Sequence, residues 1–77
     1  MSASRAALDA ALLKAHADGD GPALARLYTQ AADLAQTDGD AQAMCFYLTQ
    51  AYVFALEAGS TDAPLLHARL LAEGREE

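Results

Sequence analysis

Three side chains in this sequence have the chemistry to hold a soft metal or act as a nucleophile: His16, Cys45 and His67. Imidazole and thiolate together suit zinc, but no CxxC or HxxxH pair places two ligands on adjacent turns. Each histidine therefore reads as a solvated surface residue. Cys45, with no neighbouring base in a recognisable motif, reads as a small packing residue. A calcium reading starts from Asp18-Gly19-Asp20-Gly21-Pro22, because alternate carboxylates open an EF-hand loop. The next ligand position is Pro22, and the place of the closing bidentate glutamate is held by Thr29. That segment reads as a turn with helix caps, and so does Asp38-Gly39-Asp40. With no nucleophile–base pair, phosphate loop or metal spacing, the sequence points to a protein that is not an enzyme and needs no cofactor.

Tyr28, Tyr47 and Tyr52 are the remaining groups with binding chemistry. A tyrosine on a helical stripe packs its ring inward and leads its hydroxyl to water or a carbonyl, so core packing is the first reading for all three. A small molecule held among them in a helical core is the alternative.

These residues must be positioned by helices. Seventy-seven residues make one domain, residues 1–77, near the lower size at which a single core folds unaided. The hydrophobic fraction of 53% is inflated by alanine, so the larger side chains supply most of the burial. Gly and Asp break the chain near 18–22, 37–40 and 58–64, and the spacing between breaks is helical throughout. It predicts helices over about 4–17, 22–36, 40–58 and 62–73, with no strand. Ser4 is placed to cap the first helix, Asp40 the third, and Thr61 or Asp62 the fourth. Pro22 and Pro64 fit first turns, and Gly59 fits a left-handed helix end. Leu8, Ala11, Leu12 and Ala15 form one stripe; Leu24, Leu27, Tyr28, Ala31, Leu34 and Ala35 form a stronger one. Leu65, Leu66, Leu70 and Leu71 are available for burial from the fourth helix, and the tail Arg75-Glu76-Glu77 is expected to fray.

The third helix is apolar almost all round. On a wheel of about 100° per residue, Met44, Leu48, Ala51 and Ala55 lie opposite Gln42, Thr49, Gln50 and Glu57. Tyr47 and Phe54 form one flank, and Cys45, Tyr52 and Leu56 the other, as expected of a central helix with several neighbours. Phe46 and Val53 fall inside the polar arc, where no neighbour within the fold is needed. An exposed apolar patch of this kind marks an interface. Phe46, Gln50, Val53, Gln42 and Glu57 are therefore the candidate partner-binding residues, for a protein or peptide or for a second copy of the chain.

The chain also resembles itself. Pro22 and Pro64 each follow an acidic residue two positions earlier, so helices one and two match helices three and four as two antiparallel hairpins. A shorter echo pairs "TQA" at 29–31 and 49–51 with "DGD" at 18–20 and 38–40. With the "GD" turns and the sets Leu27, Tyr28, Ala31 and Tyr47, Leu48, Ala51, the sequence resembles a tetratricopeptide-type helical repeat. That family's period is about 34 residues and carries a Trp-containing first helix, which this chain lacks. The resemblance implies an all-α fold with right-handed stacking of hairpins and a non-catalytic role in binding proteins or peptides. A compact up-down four-helix bundle is the alternative architecture.

Eleven acidic against five basic residues give a formal charge of −6, which repels nucleic-acid phosphates and anionic lipid headgroups. Neither nucleic acid nor membrane is expected as a partner. The first residues lack the apolar run of a signal peptide, no stretch approaches the ~20 apolar residues of a membrane span, and the single cysteine fits a reducing compartment. The cytoplasm is the expected location.

Overall fold

A computed structural model describes the backbone of residues 2–74 and the side chains of residues 5–74. The described residues form four helices and no strand: α1 Ser2–Asp18, α2 Gly21–Thr37, α3 Ala41–Ala58 and α4 Ala63–Ala72. The tail 75–77, expected to fray, lies outside the described residues.

The first three helices end in the same way, at intervals of twenty residues. Asp20 N–H donates to Ala15 O at 3.0 Å, Asp40 N–H to Ala35 O at 2.9 Å and Ser60 N–H to Ala55 O at 2.8 Å. In each turn the preceding glycine, Gly19, Gly39 or Gly59, has a positive φ of 64°, 75° or 66°. This is the Schellman arrangement, which satisfies the last carbonyls of a helix and needs a residue that tolerates the left-handed region. Asp20 and Asp40 then cap the next helix at once, accepting from Ala23 N–H at 3.2 Å and Ala43 N–H at 3.0 Å. The short echo at 18–20 and 38–40 is thus the visible trace of a structural period.

Ser60 departs from that pattern. Its hydroxyl accepts from Asp62 N–H at 3.1 Å and its carbonyl from Ala63 N–H, which adds a turn before α4 begins. Asp62 holds the cap position without a side-chain cap bond, so the expected aspartate cap is replaced by the serine's local turn. At the other end, α1 starts at Ser2, two residues before the expected Ser4 cap. No Gly or Pro precedes Ser4 to stop the helix extending upstream. Pro22 and Pro64 both lie in first turns.

The helices form an open antiparallel array in chain order. α2 packs most extensively on α3, with α1 on α2 and α4 on α3. Among the described residues no Cα of α1 comes within 8 Å of one in α4, so the contact that would close a four-helix bundle is missing. The main packing unit joins the two expected hairpins rather than lying within either. Ala25, Ala32 and Ala35 on α2 face Ala51 and Ala55 on α3, and their small side chains let two long helices approach closely. Leu48 and Leu70 are the largest fully buried side chains; each contributes about 1.5–3 kcal/mol by leaving water.

Long side chains add ion pairs across the array, one of them between alternate helices. Arg5 of α1 pairs with Asp38 at 2.7 Å, and Arg69 of α4 pairs with Asp33 of α2 at 3.0 Å. These partly exposed pairs add a fraction of a kcal/mol each and serve mainly to set register. As the end helix, α4 has one principal neighbour, which leaves Leu65 and Leu71 exposed while Leu66 and Leu70 are buried. Only half of that helix's leucines reach the core.

Candidate functional site: the outer face of α3

The inner arc of α3 is the centre of the core. Met44, Cys45, Leu48, Ala51 and Ala55 are buried, and Leu48, Ala51 and Ala55 have no accessible surface. Among the described residues no element covers the outer arc. Phe46 is 57% exposed and Val53 42% exposed, with Gln42 and Glu57 also exposed and Gln50 half-buried. All five candidate residues therefore share one side of the helix, with Phe46 at its centre, Val53 and Glu57 about 20° to either side, and Gln42 and Gln50 about 40° out at the edges. Thr49 adds little polarity, because its hydroxyl donates to Cys45 O at 2.9 Å. Gln42, Cys45, Phe46 and Thr49 line a shallow depression.

On the edge toward α1 a row of aromatic rings crosses three helices. His16 Nε2 lies 3.0 Å from Tyr28 Oη, and the His16 ring meets the edges of Tyr28 and Phe54 at 5.9 and 6.0 Å. Tyr28 stacks on Phe54 at 5.9 Å and on Tyr47 at 6.2 Å, and Phe46 meets Tyr47 edge-on at 5.5 Å. Phe46 is thus the exposed end of a row anchored in the fold. A ring held in place by its neighbours loses less freedom when a partner covers it.

On the other edge Tyr52 stacks on His67 of α4, with centroids 5.3 Å apart. The three tyrosines do not converge on one pocket: Tyr28 and Tyr47 belong to the row, while Tyr52 is paired with His67 on the opposite flank. His16 is exposed, as expected, yet bridges helices; His67 is half-buried under Tyr52 rather than solvated. Cys45 is buried and free. Among the described residues no three His, Cys, Asp or Glu side chains gather closely enough to hold a metal ion. Nor is any helix of the described residues long and apolar enough to cross a membrane.

Two residues of this side escape the sequence pattern. Leu56, 55% exposed, lies on the flank assigned to packing, and Leu71 of α4, 43% exposed, was counted as available for burial. The signal for Leu71 is a surplus of leucines on α4, on faces that one neighbour cannot cover. Against family models, curated proteins and solved structures alike, the chain finds no match.

Proposed function

We propose that this chain is a non-catalytic interaction module that docks a protein or peptide on the outer face of α3. Phe46 and Val53 supply the apolar anchors, and Gln42, Gln50 and Glu57 on the same face orient the partner's polar groups. The observation that supports this reading is Phe46 itself, a large ring 57% exposed at the end of an ordered aromatic row, beside a second exposed apolar residue on the same face. Large apolar side chains left exposed on one helix face are what interfaces use. An open array of antiparallel helices is also what a tetratricopeptide-type stack would give, and it supports a binding role through that resemblance. The module works in the cytoplasm, where the free Cys45 stays reduced, and its charge of −6 keeps it off nucleic acids.

Phe46→Asp tests the proposal. Native mass spectrometry of the chain purified from its own cells should show a second polypeptide retained by the wild type and lost from the variant. Circular dichroism should show the variant's helicity unchanged, because the charge stays wet in the free chain and is stranded only in the complex. Lost helicity would place Phe46 in the core, and equal complex in both samples would remove the face from binding.

A further inference from the structure

We propose that the docking face extends across the gap between α3 and α1, from Phe46 and Val53 to Leu13, and that it takes a cationic polypeptide segment whose lysines or arginines meet Asp9 and Glu57. This rests on the reading of the outer face of α3 as a docking surface and gives its partner a chemistry. With each helix antiparallel to the next, α1 and α3 run the same way, and among the described residues no Cα of one comes within 8 Å of the other. The gap between them has a floor. Tyr28 of α2 stacks there on Tyr47 and Phe54, and His16 reaches across from α1 to touch Tyr28 and Phe54. His16 therefore fixes which side of α1 looks toward α3. Leu13 lies about one turn before His16 and Asp9 about two turns before it, on that same side. Both are exposed, and Leu13, at 73%, is more exposed than Phe46 or Val53. At the twenty-residue interval of the turns, Leu13 is the counterpart of Val53, and the counterpart between them is Asp33 of α2, which pairs with Arg69 of α4. The apolar positions thus border the gap, and the polar one turns to α4.

The charges around the gap select its occupant. Among the described residues Arg5 is held by Asp38, Lys14 by Asp18 and Arg69 by Asp33. Arg26 is the one lysine or arginine there without an ion pair, and it lies about 160° round α2 from Tyr28, away from the gap. Of the remaining carboxylates, Asp20 and Asp40 cap helices, Asp62 lines a groove with Thr29, Leu66 and Arg69 on the α2–α4 side, and Glu73 follows the end of α4. Asp9 and Glu57 are left beside the gap, with no ion pair among the described residues. With His16 and Phe54 level with one another, these two carboxylates are spaced by about 15 Å along the helix direction. A cationic segment meets two unmatched charges there, and the chain's −6 draws it in. A second copy brings the same −6 and cations that are already paired, Arg26 excepted, so it matches the gap poorly.

Fluorescence anisotropy with a dye-labelled amphipathic peptide of leucine and lysine, and with its twin carrying glutamate for every lysine, tests the proposal. The lysine peptide should bind, more weakly as salt is raised, and the glutamate twin should not. Asp9→Asn and Glu57→Gln should each weaken the lysine peptide by about two- to fivefold. Leu13→Gln should weaken it by a similar factor, because an apolar anchor is lost. Asp62→Asn removes the same unit of charge on the other side of the array and should leave binding unchanged. Circular dichroism should show all four variants helical, since each alters an exposed residue. Equal weakening by Asp62→Asn, no weakening by Asp9→Asn and Leu13→Gln, or no binding of the lysine peptide at all would overturn the proposal. The polypeptide retained from the chain's own cells separates its failure from that of the wider reading. If that polypeptide is lost with Phe46→Asp but held as tightly by Asp9→Asn, Glu57→Gln and Leu13→Gln as by the wild type, or proves to be a second copy, the cationic occupant falls and the α3 face stands. If Phe46→Asp loses nothing, both fall.

Discussion

Tyr28 and Phe54 stack with their ring planes 2° apart and their centroids separated by 5.9 Å, joining α2 to α3 at the middle of the aromatic row. His16 reaches both rings from α1, which otherwise packs on α2 alone. The row therefore ties an end helix, which packs on a single neighbour, to the centre of the fold.

Phe54→Ala should remove that link, and as Phe54 is half-buried the loss falls near the low end of buried-aromatic truncations, about 3 kcal/mol. Tyr28→Phe keeps the ring and loses only the contact with His16, for about 1 kcal/mol or less. Urea unfolding of both variants checks the order; an equal loss would mean that the hydroxyl, not the stack, carries the contact.

Leu48→Ala should cost about 2–5 kcal/mol, because the side chain is fully buried at the α2–α3–α4 junction. Gln50→Ala, half-buried at the edge of the outer face, should stay within about 0.5 kcal/mol. In a domain this small the first loss is a large part of the total stability. Melting temperatures that match would mean the inner and outer arcs are misassigned.

The two aspartates at helix starts should behave differently. Asp40→Ala removes the acceptor of Ala43 N–H and should cost about 1 kcal/mol. Asp62→Ala removes no cap bond and should be nearly silent, whereas Ser60→Ala removes the acceptor of Asp62 N–H. Thermal melts of the three variants would show the pattern, and a costly Asp62→Ala would contradict it.

Gly59 and Gly21 make a similar contrast. Neither has an atom beyond its chain neighbours within 4 Å of an added Cβ, so the local backbone decides the outcome. Gly59→Ala forces a left-handed alanine and should cost about 1–2 kcal/mol. Gly21→Ala, in the first turn of α2, should stay within about 1 kcal/mol of the wild type, since its restriction of the unfolded chain is opposed by crowding of a helical Cβ against the following Pro22 ring.

Helices and turns were legible because their signals are local. Gly59 marks a left-handed end, Asp40 a cap, and Leu48 the centre of a face, and each needs only a few neighbouring residues to be read. The outer arc of α3 was legible for the same reason, since a wheel shows where Phe46 and Val53 point. What a wheel cannot give is the residue opposite. His16 against Tyr28 and Tyr52 against His67 depend on how far one helix slides along the next. The exposure of Leu65, Leu71 and Leu56 depends on how many neighbours α4 has. The dominance of the α2–α3 contact follows from rows of alanine whose close approach appears only when both helices are in place.

The central claim is that the outer face of α3 is open in the single chain and covered by another polypeptide in the cell. A photo-crosslinking amino acid at position 46, compared with one at position 26 on the exposed side of α2, tests it most directly. The account predicts a polypeptide adduct from position 46, whether with a second copy or with another protein, and little or none from position 26. Equal yields at the two positions, or no adduct at position 46 in a chain that remains helical, would contradict it.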